Sequence, residues 1–370
     1  MGLPLGLLLM LQQPIIVDGH IDTPQRMLDM KADITARLAD GHVDIPRMRE
    51  GGLTAAFFSI WVDARYGHGT AFQRAIDLIG AVRALADTNR DVELATTAEE
   101  VRGAAARGHI AALMGVEGGH AIENSLEKVD SLYRLGVRYM TLTWNNGNDW
   151  AGSSTDPHRH GGLSPFGRRV VRRMNELGML VDVSHVSDST FWDVLATSTK
   201  PVIASHSSCR ALAHHPRNLS DAQLRAIAKN GGVVGINFYP VFLDDHFRNQ
   251  YEELRRRLKP ETDAIRARYR GHPGESAFEV DKFVGQQAES LDVPSIDRLV
   301  DHIDHAVQVM GIDHVALGSD FDGISVLPVP MKDATSLPEL VRALEARGYS
   351  DGDVRKILGE NFLRLLTAGP

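Results

Sequence analysis

Cysteine is almost missing from this 370-residue chain: Cys209 is the only one. Intramolecular disulfides are therefore excluded, while the redox compartment stays open. Positive charge is also in deficit. Lys and Arg number 40 against 48 Asp and Glu, a formal charge of −8, with a pI near 6.0. That balance argues against nucleic acid or an anionic membrane as the main partner. No apolar run approaches the length of a membrane span. No G-x-G-x-x-G joins the first apolar run to a helix, so the dinucleotide fingerprint is absent. The serines of "SHSS" (205–208) lack the context of a nucleophile elbow, which makes a serine hydrolase a poor reading. Internal repeats, low-complexity tracts and a convincing domain linker are missing as well.

With 43% hydrophobic and 24% charged residues, the composition suits a soluble globular chain with a large core. The apolar opening "MGLPLGLLLMLQQP" lacks the basic start and small-residue cleavage site of a secretory signal. Gly6 stands where a myristoylation pattern needs Ser or Thr. Residues 1–14 are accordingly read as an N-terminal extension and the location as cytoplasmic, with an exported form carrying a mis-started leader as the alternative.

Short β-rich runs alternate with helical patterns from residue 15 onward. The runs are 15–22, 53–62, 109–119, 139–144, 179–185, 201–207, 231–239 and 314–323. They are rich in Val, Ile and Leu without strict alternation, as in a parallel sheet covered on both faces. Eight such units predict a single-domain (β/α)₈ TIM-type barrel over 15–370, with an open doubly wound sheet as runner-up. Residues 240–294 break the rhythm and read as an insertion after the seventh run. Its charged stretch "YEELRRRLKPETDAIRARYRGHPGES" is expected to be a solvated helical face without chemistry.

In such a barrel, functional side chains emerge at the C-terminal ends of the strands. The first run ends on His20 and Asp22, the third on Glu117, the fifth on His185, the sixth on His206 and the eighth on Asp320. Five strands thus deliver His, Asp or Glu to one rim, where unpaired polar groups would be costly. Imidazoles and carboxylates together suit divalent transition metals. A single zinc needs three protein ligands, so this set is large enough for two sites sharing a carboxylate. Two such ions can hold a hydroxide between them and polarise a carbonyl.

The motifs "DGHID", "GVEGGHAI", "RYMTLTWN", "GLSPFGRRVVRRMNELGMLVDVSHVS", "PVIASHSSCRAL", "RNLSD", "NFY" and "GSDFDG", in this order, resemble the membrane dipeptidase (renal dipeptidase) family of metal-dependent hydrolases. The resemblance runs over nearly the whole chain. It implies a binuclear zinc dipeptidase, often tolerant of a C-terminal D-residue, acting through a metal-bridging hydroxide. His20 and Asp22 then resemble ligands of the first metal, Glu117 the bridging carboxylate, and His185 and His206 ligands of the second. Arg217 matches the arginine that grips the substrate carboxylate. Asp320 matches the acid/base aspartate, and Tyr239 falls where the pocket is lined. One position departs: the family commonly has "LTH" where this chain has "LTWN", placing Trp144 in the expected position of a histidine. A homodimer is left open.

Most of the sixteen histidines are expected to be structural. His302 and His305 are assigned surface or capping roles, and His158 and His160 an exposed loop. His120 is read as support for the site, Asp322 as a turn residue and Cys209 as a packed small residue. An N-acyl amino acid deacylase or lactonase on the same centre, or a non-catalytic barrel, are the competing functions.

Overall fold

A computed structural model describes residues 14–156 and 161–366. His158, His160 and residues 1–13 of the predicted extension lie outside the described residues. Among the described residues nine strands occur, in chain order β1 (Ile16–Ile21), β2 (Leu53–Trp61), β3 (Val92–Leu94), β4 (Ile110–Glu117), β5 (Val137–Thr141), β6 (Leu180–Asp182), β7 (Val202–Ser207), β8 (Val233–Ile236) and β9 (Val315–Leu317). All strand pairings are parallel. The order β2-β1-β9-β8-β7-β6-β5-β4 closes on itself through β2–β4, in register from Ala55↔Ala111 to Trp61↔Glu117. Each of the eight predicted runs supplies one barrel strand. The ninth, β3, was not predicted. It pairs only with the start of β4, through Val92↔Ile110 to Leu94↔Ala112, ahead of the stretch that pairs with β5. Three residues of that kind carry too little pattern to stand out in sequence.

The core divides by residue parity. Ala55, Phe57, Ala111 and Leu113 pack in one cluster with Val17, Tyr139 and Phe362, while Ala56, Phe58, Ala112 and Met114 pack in the other with the outer helices. Along β4 this alternation puts Gly115 and Glu117 on the same face as Ala111 and Leu113. Phe362 lies against Phe57 with ring centroids 6.1 Å apart. The outer helices are locally specified. In Pro165–Leu177, Ser164 accepts from the Gly167 N–H, Pro165 opens the first turn, and Gly178 ends it at φ 77°. Val170, Val171 and Met174 form its buried face.

Helices Pro240–Leu243, Asp245–Arg257, Lys259–Arg268 and Pro273–Ala288 fill the predicted insertion, between β8 and β9. They carry a small core of their own, with Phe247, Tyr251 and Leu254 packed against Val280 and Val284. His302 corrects the expectation of a surface role. It is fully buried, accepting from the Cys209 N–H at Nδ1 (3.1 Å) and bonding the Leu243 carbonyl through Nε2 (3.0 Å). The helix Ile296–Met310 turns that face inward, and spacing along one helix does not reveal what packs above it. Cys209 is buried, as expected, and burial pushes its thiol up to about 12. Among the described residues no helix is long and apolar enough to cross a membrane.

Glycines set the tightest contacts inside the barrel. A Cβ at Gly235 would come within 2.2 Å of the Ser205 carbonyl oxygen and 3.1 Å of that of Leu317. Gly80, on the exposed face of helix Ala71–Thr88, has nothing within 4 Å of its Cβ position. Gly235→Ala should therefore destabilise the fold by about 1–3 kcal/mol, and Gly80→Ala should stabilise it by about 0.5–1 kcal/mol. Denaturant unfolding measures both, and shifts of the same sign would refute the close-packing argument.

Candidate metal centre

Glu117 ends β4 on the inward face and is 3% exposed. Its Oε1 lies 2.8 Å from His185 Nε2 and 3.6 Å from His206 Nε2. Its Oε2 lies 3.4 Å from His20 Nε2, which is itself 3.6 Å from Asp22 Oδ2. The rings of His20 and His206 are 3.9 Å apart at their centroids. The expected ligands from β1, β4 and β7 and from the turn after β6 thus converge. Two overlapping groups have ligand atoms within 4.8 Å of one another: His20, Glu117 and His206, and His20, Asp22 and Asp320.

Local irregularity does the delivering. The β1–β2 register shifts between Asp18 and Ile21, and the β7–β8 register between Ala204 and Ser207. Such bulges re-aim side chains beside sites. His185 (φ 67°) and Asp320 (φ 65°) lie three residues beyond the ends of β6 and β9, in the left-handed region. That conformation costs about 1–3 kcal/mol for a non-glycine residue and is common at functional sites.

Hydrogen bonds choose the tautomer of all three histidines. The Tyr139 hydroxyl donates to the Gly19 carbonyl (3.1 Å), so at 2.8 Å it accepts from His20 Nδ1–H. Ser205 Oγ donates to Asp182 Oδ2 (2.6 Å), so at 2.8 Å it accepts from His206 Nδ1–H. Asn145 Oδ1 accepts from His185 Nδ1–H at 3.2 Å. Each ring therefore presents its Nε2 lone pair to the centre, the arrangement of a metal-binding imidazole held by its other nitrogen. The Nε2 atoms of His185 and His206 face each other at 3.0 Å, and buried His20 Nε2 has no hydrogen-bond donor or acceptor. Two lone pairs so close repel unless a cation lies beside them. The donor set fits divalent metal.

Electrostatics agree. Burial opposes ionisation of Glu117, yet His20 and His185 outweigh it and hold the carboxylate well below its ordinary range. Burial also opposes charging of His20, but Tyr139, Glu117 and Asp22 raise its pKa well above normal, the mark of a position that attracts positive charge. Burial, with the Arg217 charge second, lowers His185 to about 4. Burial, with Asp22 second, raises Asp320 to about 7. Asp320 Oδ2 accepts from Asn237 Nδ2 at 2.9 Å, and the Tyr239 N–H donates to Asn237 Oδ1, which fixes the amide's orientation. A side chain at Gly323 would strike Asp22 Oδ2 at 2.1 Å and Asp320 Oδ1 at 2.6 Å.

The sequence profile of the membrane dipeptidase family (peptidase family M19) matches residues 8–368. The chain belongs to the membrane dipeptidase family. It is a metallo-dipeptidase. Dipeptidase verJ of Clonostachys rogersoniana is 34% identical, the match covering 95% of this chain and 83% of the relative. Among solved structures, the probable dipeptidase PvdM of Pseudomonas aeruginosa superposes with TM-score 0.81 at 28% identity, covering 96% of this chain and 95% of that one. A metallo peptidase from Rhodobacter sphaeroides, liganded with a phosphinate mimic of the dipeptide L-Ala-D-Ala, gives TM-score 0.76 at 28% identity, covering 96% and 99%.

Above the centre of this dipeptidase opens a cavity of about 390 Å³, bordered by Asp22, Glu117, His185 and Asp320. Arg217, Trp144 and Tyr239 also line it. Arg217 is 4% exposed; Nη2 donates to the His206 carbonyl (3.1 Å) and Nη1 to Ser207 Oγ (3.4 Å). Its Nε has no acceptor. Trp144 packs edge-on against Trp61, centroids 5.0 Å apart. The insertion corrects its reading as a face without chemistry, because Phe242, Arg255, Arg266 and Asp281 wall the cavity. His120 does not itself line it; both its ring nitrogens are buried without hydrogen-bond partners. Asp322, at φ 65°, is the turn residue expected, accepting from Thr23 Oγ1 (2.7 Å) and the His42 N–H (2.6 Å).

Sequence reasoning missed Tyr139, Asp182, Ser205, Asn145 and Asn237, whose partners are remote in the chain except that Ser205 also bonds the ring of its neighbour His206. The available signal for two of them was polarity inside apolar runs, Asp182 in "VDVSH" and Ser205 in "ASHS". Gly115 belongs to the same design, since a Cβ there would meet the Tyr139 ring at 2.1 Å. Tyr139→Phe should weaken divalent-metal binding by about 10–100-fold, because it frees the His20 ring to turn or change tautomer. Competition with a chelator measures this. Unchanged affinity would remove Tyr139 from the design.

Proposed function

We propose that the enzyme is a binuclear zinc dipeptidase in which His20, Asp22, Glu117, His185 and His206 hold the metals and Glu117 is shared. The observation that carries this reading is the convergence of three Nε2 lone pairs on one buried carboxylate. Two divalent ions there would supply a hydroxide nucleophile near neutral pH and polarise the carbonyl under attack. The protein's own groups do the rest. Arg217 is a buried guanidinium without a carboxylate partner among the described residues, and a dipeptide's C-terminal carboxylate would satisfy it through charge-assisted bonds. Asp320, poised near neutrality, accepts the attacking water's proton and passes it to the leaving nitrogen. Trp144 and Trp61 form an apolar wall that excludes water and favours compact or apolar substrate groups. Tyr239 closes the side next to Phe242. Acceptance of a C-terminal D-residue is part of this reading, supported by the L-Ala-D-Ala mimic bound to the Rhodobacter sphaeroides relative.

A second role for Asp320 has its own support, because its carboxylate groups with His20 and Asp22 as a ligand set. One variant separates the two. As a proton shuttle, Asp320→Asn retains both zinc ions and loses roughly 10²–10⁴ in kcat on L-Xaa-L-Xaa and L-Xaa-D-Xaa dipeptides. As a ligand, it loses zinc. N-acylated dipeptides serve as controls in the same panel, and wild-type enzyme that preferred them would make it a deacylase.

Arg217→Met should raise KM for free dipeptides at least about 10-fold more than for C-terminally amidated ones, since only the former contain the charge-assisted partner. Steady-state kinetics on the matched pair measures it, and equal effects on both would disprove the carboxylate contact.

A further inference from the structure

The helix Pro273–Ala288 carries Asp281 into the wall of the substrate cavity. This carboxylate is out of place for a solvated surface helix. Among the described residues it has no hydrogen-bond partner, and Arg255 and Arg266 act on it through space; Asp22, which lines the same cavity, is the third charge it feels. Burial raises its pKa to about 6 despite the two arginines. Asp281 is half-buried, so its carboxylate remains open to a donor from a ligand in the cavity.

Its position is held from both sides. Phe278 lies against the Arg26 guanidinium, 5.0 Å from guanidinium carbon to ring centroid. Lys282 pairs with Asp40, and Arg26 also bonds Asp40 Oδ1 at 2.8 Å. The residues flanking Asp281 by three and by one are therefore tied to the barrel's first loop, which presents the carboxylate to the cavity in one place. Such preorganisation favours binding over mere tolerance of a charge.

The substrate's polarity then decides what Asp281 meets. Arg217 is bonded at the His206 end of the ligand cluster, and Asp22 lies at the His20 end. A substrate with its carboxylate on Arg217 and its scissile carbonyl over the cluster would therefore direct its amino-terminal residue toward Asp22, whose charge Asp281 feels. We propose that Asp281 is a specificity-determining residue that receives an ammonium group on the amino-terminal residue of the substrate. The inference rests on the dipeptidase reading for the substrate's direction. It assigns to the insertion the selection of free peptides over N-blocked ones. The ammonium has two sources, the α-amine and a lysine-type side chain, and the α-amine is the one every dipeptide carries.

Calorimetry on zinc-loaded enzyme tests this without turnover. The ligands are a phosphinate mimic of Ala-Ala, its desamino counterpart and a mimic with lysine first. Asp281→Asn should weaken the Ala-Ala mimic about 10–100-fold and leave the desamino mimic within about twofold. Asp281→Glu, which keeps the charge, should recover part of the loss. A loss confined to the lysine mimic would place the side-chain ammonium there instead of the α-amine. Equal loss for all three ligands, or none, would overturn the proposal. Wild-type enzyme that binds the mimics but cleaves no dipeptide would sink the functional reading while leaving the Asp281 result intact.

Discussion

A carboxylate buried among three imidazoles is the constraint around which this enzyme is built. Glu117 reaches His20, His185 and His206 at once, although those residues come from distant parts of the chain. Only a closed barrel brings four such strand ends to one point, and the closure runs through β4 itself, paired with β2 up to Trp61↔Glu117. The seam that completes the fold thus also fixes the carboxylate at the centre of the histidine cluster. A slip of one residue in that register would send Glu117 to the helix side of the sheet.

A shell of polar residues works outward from this point. Tyr139, Ser205 and Asn145 each engage one Nδ1–H, and Asp182 engages Ser205. Ring orientation and tautomer are settled before any ligand arrives, which reduces the reorganisation that binding would require. Space for the shell comes from glycine. Gly115 admits the Tyr139 ring, and Gly235 and Gly318 crowd the Ser205 carbonyl within 2.2 and 2.0 Å of their Cβ positions. Within the site, the left-handed non-glycine residues are His185, Asp320 and Asp322, in turns that the rigid barrel below sustains.

The cavity above is less regular than the centre beneath it. One wall is aromatic, Trp61 against Trp144, and another is the four-helix insertion between β8 and β9. The candidate ligands are therefore seated at strand ends and the short turns just beyond them, and the cavity's outer walls on loops and inserted helices, which tolerate variation. Trp144 belongs to the second group. It lines the cavity against Trp61, and its indole, unlike an imidazole, cannot carry a positive charge there.

Eight apolar runs separated by helical patterns determined the barrel, because a parallel strand buried on both faces needs a continuous Val, Ile and Leu stretch. His, Asp and Glu at the ends of those runs determined where the chemistry gathers, since burial elsewhere would leave them unpaired. Those signals are local, and sequence carries them whole. β3 escaped because three residues hold no period, and His302 was misjudged because helical spacing says nothing of what packs above it. The charged insertion escaped for a similar reason: a solvated face and a cavity wall have the same composition. Tyr139 on His20, Asn237 on Asp320 and Asp182 on Ser205 join residues 119, 83 and 23 positions apart. Such pairs exist only once the barrel has closed, because hydrogen bonding at 2.6–2.9 Å depends on distances that no one-dimensional pattern encodes.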